Sequence, residues 1–263
     1  MENCKGRLAL VTGASSGIGL CFCRELARRG CNLVMVSNQD CLDGCAEAIA
    51  GEFGVKAVPL FFDLTDAGCA ETIAKRLDGM GLSPDYLINN AGIFSFKEIV
   101  RTPAAKVNCF IDLHVRAVTE LSRIFGERFA RRGSGRILNM SSMSCWMPMP
   151  GIALYSATKA YIRVFSRALH YELRDSGVTV TVACPGGIAT DLFGLPVRLQ
   201  RLAVRLGVLM RPERFAHKAV NRMLRGRKQY INGLLNRFSI FFVGITPTPV
   251  RMMVKHKLLD RMQ

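Results

Sequence analysis

The chain has 263 residues, enough for one domain with a large core, or one domain carrying an extension. Hydrophobic residues make up 49% and charged residues 21%, which excludes a disordered or fibrous chain. The formal net charge of +16 is uneven: residues 198–263 hold 15 Lys/Arg against Glu213 and Asp260, a net +13, and residues 1–197 supply the other +3.

In chain order, an apolar strand-like run at 8–11 leads into Thr12-Gly13-Ala14-Ser15-Ser16-Gly17-Ile18-Gly19, and 20–29 reads as a helix. Strand, glycine-rich turn and helix in that order are the context a dinucleotide-binding turn requires. The glycines let the backbone approach a pyrophosphate, and the helix start offers it unpaired N–H groups. The second strand, 32–36, ends in Ser37-Asn38-Gln39, and its first acid, Asp40, comes late. A carboxylate at the strand end would favour NAD; with none there, and Ser37 and Asn38 able to donate to a phosphate, NADP(H) is expected over NAD(H).

Further strand-like runs fall near 55–61, 86–89, 136–140, 178–183 and 229–232, with amphipathic helical stretches between them. That alternation predicts an α/β fold, a Rossmann-type doubly wound parallel sheet with helices on both faces. Tyr155 and Lys159 stand at i, i+4 on one predicted helix face, with Ser142 upstream at a strand end. A lysine ammonium beside a phenol is expected to lower its pKa, and a serine hydroxyl beside both suits reduction of a ketone or oxidation of an alcohol.

With these motifs together the chain resembles the short-chain dehydrogenases/reductases over roughly residues 5–235. The residues that carry the resemblance are the turn 12–19, Asn89-Asn90-Ala91-Gly92, the set Ser142, Tyr155 and Lys159, and Pro185-Gly186 with Thr190. The resemblance implies that Tyr155 is the general acid/base, that Lys159 lowers its pKa and holds the nicotinamide ribose, and that Ser142 orients the substrate oxygen. It implies cofactor contacts from Thr12, Gly13, Ser15, Ser16, Gly17, Ile18 and Gly19, from Asp63 and Leu64 near the adenine, from Asn90, Ala91 and Gly92, and from Pro185, Gly186, Ile188 and Thr190. For Asp63 a second reading stands, a loop carboxylate capping the next helix. His114 falls where many members carry Asn. It either takes over a proton relay to Lys159, or marks a lost relay, or is a hydrogen-bonded core histidine.

The resemblance also implies a homodimer or homotetramer built on helices at 104–132 and 153–175. A substrate lid is expected at about 190–211, where apolar residues alternate with Arg198, Arg201, Arg205 and Arg211. The catalytic domain is expected to close at 233, and 234–263 reads as a basic apolar extension. Its uncharged run 238–250 is too short to span a bilayer and holds Pro247 and Pro249. Peripheral attachment to anionic membrane, a core or subunit contact, and recognition of an anionic substrate remain open for it. Met143, Cys145, Met147 and Met149 are expected at the substrate entrance. Ten scattered cysteines without a Cys-x-x-Cys pair, and no apolar leader, suggest a reducing cytoplasm, with the inner face of a membrane as a further expected location. The four histidines lie far apart and suggest no metal site, and no motif suggests nucleic acid. The function expected is NADPH-dependent reduction of a ketone, or the reverse, on a lipid-like substrate. Alternatives are a non-catalytic NADP-binding scaffold and a reductase of small polar ketones.

Overall fold

Among the described residues, seven strands form one parallel sheet. A computed structural model of the protein describes residues 4–189, 209–233 and 246–256, with positions 198, 199, 204, 236, 238, 240 and 242 in addition. The strands are β1 (Leu8–Thr12), β2 (Asn32–Ser37), β3 (Ala57–Phe61), β4 (Tyr86–Asn89), β5 (Gly135–Met140), β6 (Val178–Cys184) and β7 (Gln229–Ile231). They lie in the order β3-β2-β1-β4-β5-β6-β7, and every pairing is parallel. Parallel neighbours need crossovers, and the intervening helices supply them.

Successive strand side chains face opposite ways, so the apolar runs feed two cores at once. Ala9, Val11, Leu33, Met35, Ile88 and Leu138 point into one. It is closed by α1 (Gly17–Ala27), α2 (Leu42–Phe53) and α7 (Pro212–Leu224) through Phe22, Ile49, Phe215 and Met223. Leu10, Val34, Val36, Leu87 and Ile137 point into the other, against Ile73, Leu121, Phe125 and Phe129. Those side chains come from α3 (Cys69–Gly79) and α5 (Ala117–Arg132). This two-sided burial is why the strands read as continuous apolar runs.

The predicted long helix 104–132 is interrupted. α4 (Ala104–Ile111) passes through a π-helical turn, Asp112–Arg116, before α5 begins. The helix α6 (Ala153–Glu172) follows β5, and α8 (Thr248–Val254) lies in the C-terminal segment. Sheet order reverses between β1 and β4, so the crevice at the carboxyl ends of the strands is where such a fold holds ligands. Thr190, most of the expected lid and much of the 234–263 extension lie outside the described residues.

Candidate active site

The turn after β1 is built by close approach. A Cβ on Gly19 would stand 1.8 Å from the Gly13 carbonyl oxygen, so only glycine fits there. Gly17 has φ +53° with open space around it, so backbone conformation rather than packing requires glycine. The ends of β1 and β4 are stitched together. The backbone N–H groups of Asn90 and Ala91 donate to Thr12 Oγ1 at 3.0 and 3.1 Å, and Asn90 Nδ2 donates to the carbonyls of Thr12 and Gly13 at 3.1 and 3.3 Å. Thr12 and Asn90 therefore shape the turn with their side chains. Ser16 starts α1 in extended backbone (φ −152°), and its side chain does not cap the helix. The first-turn amides therefore face the crevice without a side-chain acceptor from Ser16. Close backbone approach with exposed helix-start amides fits the pyrophosphate of a dinucleotide.

At the end of β2 the Ser15 and Ser37 hydroxyls share a hydrogen bond of 2.8 Å, and Ser15 Oγ is 2.6 Å from Gln39 Oε1. Asn38 Nδ2 donates to Asp63 Oδ2 at 3.0 Å. Asp63 Oδ1 accepts from the Thr65 N–H at 2.8 Å and from Thr65 Oγ1 at 2.7 Å. These bonds, the Thr65 N–H first, hold the Asp63 carboxyl below its ordinary pKa. Asp63 is thus a loop cap that also fixes Asn38. Leu64 is buried in the core beneath it.

The second cluster sits where β5 and α6 meet. Ser142 follows β5 in extended backbone, and its Oγ accepts from the Ser144 N–H at 3.1 Å. Tyr155 and Lys159 are buried on α6. Lys159 Nζ donates to the Met140 carbonyl at 3.1 Å and lies 5.7 Å from the Tyr155 ring centroid. Burial pushes the Lys159 pKa down to about 7. Burial pushes the Tyr155 phenol above its ordinary value, and a hydrogen bond with Ser142 opposes the shift. The lowered phenol pKa expected from the sequence is therefore not what this arrangement produces. Burial is the largest influence on the phenol, and the same desolvation disfavours the positive charge of the neighbouring lysine.

His114 lies in the π-helical turn and is fully buried. Its Nε2 accepts from the Ile93 N–H at 3.1 Å, which leaves the proton on Nδ1. Nδ1 then donates to Thr158 Oγ1 at 3.0 Å, and that hydroxyl donates to the Tyr155 carbonyl at 3.0 Å. Burial first, and the Lys159 charge second, push the imidazole well below its ordinary pKa, so it is neutral. Of the three readings, the hydrogen-bonded core histidine matches this geometry. Gly92 fits between His114 and Lys159, since a Cβ there would lie 3.0 Å from Nε2 and 3.3 Å from Nζ.

The pocket beside Tyr155 is walled by Ser95, Lys97, Ile99, Phe110, Gly151 and Leu154. Phe94 meets the Tyr155 ring edge-on at 5.0 Å, and Phe110 does so at 6.5 Å. Of the residues expected at the substrate entrance, Met143 is buried and Cys145 packs with Trp146 and Cys184. After β6, the Gly186 N–H donates to Asn232 Oδ1 at 2.6 Å, the Pro185 carbonyl accepts from the Met143 N–H at 2.8 Å, and Ile188 bridges to Met210. The loop of Pro185, Gly186 and Ile188 is thereby fixed beside Ser142. Thr158 and Ser141, which donates to the Lys159 carbonyl at 2.7 Å, were not visible in the sequence as parts of the site. Neither belongs to a motif, and their roles depend on contacts across elements.

A glycine turn at the switch point of a parallel sheet, together with half-buried Ser142 and buried Tyr155 and Lys159, defines a nucleotide-binding α/β protein with a reactive polar crevice. The chain belongs to the short-chain dehydrogenase family, whose model matches residues 7–195. The probable oxidoreductase EphD of Mycobacterium tuberculosis is 36% identical over 188 residues, which is 70% of this chain but 31% of that protein. The chain thus spans about a third of the length of the first of these relatives. The very-long-chain 3-oxoacyl-CoA reductase-B of Danio rerio is 30% identical over 257 residues, covering 95% of this chain and 79% of that one. A short-chain dehydrogenase from Sphingobium yanoikuyae, solved in complex with NADPH, superposes with a TM-score of 0.79 at 29% identity over 96% of both chains.

Proposed function

We propose that the protein is an NADPH-dependent reductase that converts a ketone on a hydrophobic, lipid-like substrate to a secondary alcohol. The substrate classes in view are 3-keto sphingoid bases, 3-oxoacyl chains and oxosteroids. The observation that carries this reading is the placement of Tyr155: buried one helical turn from Lys159 on α6, it stands in the wall of a pocket whose other sides include Ile99, Phe110 and Leu154, where its phenol can donate to a carbonyl oxygen.

Ser142, hydrogen-bonded with Tyr155, holds the ketone oxygen beside the phenol. A bound nicotinamide supplies the hydride to the carbonyl carbon. Lys159 holds the ribose and positions the phenol. His114, neutral and doubly bonded, keeps the 90–93 backbone and Thr158 in place. The glycine turn and Ser16 would receive the pyrophosphate, Ser15 and Ser37 would face the adenosine ribose, and Pro185, Gly186 and Ile188 would cover the nicotinamide. NADP(H) is favoured because no carboxylate stands at 37–39 to repel a 2′-phosphate. The NADPH-bound Sphingobium neighbour and the 3-oxoacyl-CoA reductase relative support the cofactor and the substrate class. Exposed Tyr161, Val164 and Tyr171 along α6 support a homo-oligomer built on that helix.

The test is oxidation of NADPH and NADH by purified protein with 3-ketosphinganine, a 3-oxoacyl-CoA and a 3-oxosteroid. Turnover of one of them with NADPH is expected, falling about 10²–10⁴-fold in Tyr155→Phe with cofactor affinity intact. Tight cofactor binding without turnover of any of the three would overturn the lipid-ketone reading.

A further inference from the structure

The loop that walls the pocket also carries apolar side chains outward. Ile99 is exposed although it lines the pocket, and Val100 beside it is 86% exposed. Between this loop and α8 runs an ion pair: Lys255 Nζ lies 3.8 Å from Glu98 Oε1, and Arg101 Nε reaches the other Glu98 oxygen at 3.3 Å. The C-terminal segment is therefore seated at the rim of the pocket beside Tyr155. It brings exposed apolar side chains of its own, Val250, Met252 and Met253, and Phe238 and Phe242 upstream are 67% and 63% exposed.

Cations gather in the same place: Glu98 of this rim is paired with Arg101 and Lys255, Lys97 precedes it in the chain, and Arg251 stands four residues before Lys255. Large exposed apolar side chains interleaved with cations are unusual on a surface that meets only water. A two-fold contact with a second copy would set like charge against like charge. An anionic bilayer surface complements both features, taking the apolar side chains among its acyl chains and the cations at its headgroups. Among the described residues no helix is long and apolar enough to cross a membrane, so the contact is one of lying on the surface.

We propose that the 97–101 loop and the C-terminal segment form a docking face for anionic lipid bilayers, with the pocket mouth turned toward the lipid. A ketone lipid would then pass from the bilayer to Tyr155 without crossing bulk water. That last step rests on the reductase reading, whereas the docking face does not.

The test is flotation of the full chain with vesicles of phosphatidylcholine alone or mixed with phosphatidylglycerol, at low and high salt. Binding to the anionic vesicles is expected to be roughly tenfold or more tighter than to neutral ones, and to weaken with salt. Val100→Ser with Met253→Ser should lose most of it while retaining NADPH binding, which reports an intact fold. Equal binding to both vesicle types, no binding, or undiminished binding by the double variant would each overturn the proposal. So would a concentration-dependent dimer that the double variant breaks in the absence of vesicle binding, which would make the face a self-contact. Vesicle binding without turnover of any lipid ketone would leave the docking face standing and remove the reductase reading.

Discussion

The two halves of the crevice are held in different ways. The turn side, 12–19 with 89–92, is fixed by backbone sterics and by neutral hydrogen bonds from Thr12 and Asn90. The side around Tyr155 is fixed by burying ionisable groups: Lys159, Tyr155 and His114 all lie under the surface with their pKa values moved by desolvation. The first half is rigid and electrically quiet. The second stores unfavourable solvation that folding must offset elsewhere, a pattern expected where proton transfer is done. Substitutions on the two sides should therefore fail in different ways, and pH should matter mainly on the second.

The largest effect is expected at Gly19→Ala. The new Cβ meets a backbone oxygen at 1.8 Å, so the turn itself must move. NADPH affinity, measured by fluorescence titration, should fall about a hundredfold or more, equivalent to roughly 3 kcal/mol. The loss should be the same at pH 6 and pH 9, because no titrating group is involved. A strongly pH-dependent loss would break the contrast.

Lys159→Met tests the electrostatic half through stability. The folded-state pKa, about 7, lies below the ordinary lysine value of 10.5. The folded protein thus binds fewer protons than the unfolded chain between those values, and stability rises with pH across that window. Below pH 7 the ammonium is charged in both states and the burial penalty is felt in full. Replacement by Met should stabilise the fold there, on the order of several kcal/mol, with the gain shrinking as pH rises from 7 toward 10.5. Urea melts across that range measure it, and a gain independent of pH would show that packing, not charge, is responsible.

His114→Ala should cost about 3 kcal/mol, from a cavity and from an Ile93 N–H left without its acceptor. Turnover should fall more than cofactor affinity, because the imidazole supports Gly92 and Thr158 beside Lys159 and Tyr155. His114→Asn, which can still accept from Ile93, should recover part of both losses. Unchanged turnover in the alanine variant would remove any role for His114 in the reaction.

Much of this contrast was legible beforehand on one side only. All seven strands were readable as apolar runs because two-sided burial leaves no polar alternation to confuse them. The turn was readable because sterics impose glycine at fixed spacing. The electrostatics were not. The pair Tyr155 and Lys159 suggests a lowered phenol pKa from spacing alone, but spacing carries no information about desolvation, which reverses the direction. The π-helical turn at Asp112–Arg116 was also hidden, since its residues fit an uninterrupted helix. Thr158 and Ser141 enter the site only through contacts made after α6 packs on β5. The ion pair between Glu98 and Lys255 joins positions far apart in sequence, which no local pattern encodes.

Asp63 gives the smallest and most discriminating effect, because it lies on the quiet side yet is charged. Its carboxyl accepts from Thr65 and from Asn38, so its folded pKa is depressed below 3.8. A depressed carboxylate contributes stability that is present above the unfolded pKa and lost as pH falls through the folded one. The group is mostly solvated, so Asp63→Ala should cost only about 0.5–1 kcal/mol at neutral pH. That difference should shrink as pH falls below 3.8 and be lost as the lower folded pKa is passed. Asp63→Asn keeps an acceptor for Thr65 and should cost less. If the carboxylate acts mainly as a loop cap, NADPH affinity in Asp63→Asn stays within about twofold of wild type, well under 1 kcal/mol. A tenfold loss in that variant, with stability preserved, would instead place Asp63 against the adenine and add a charged contact to the half of the crevice that is otherwise held by neutral hydrogen bonds.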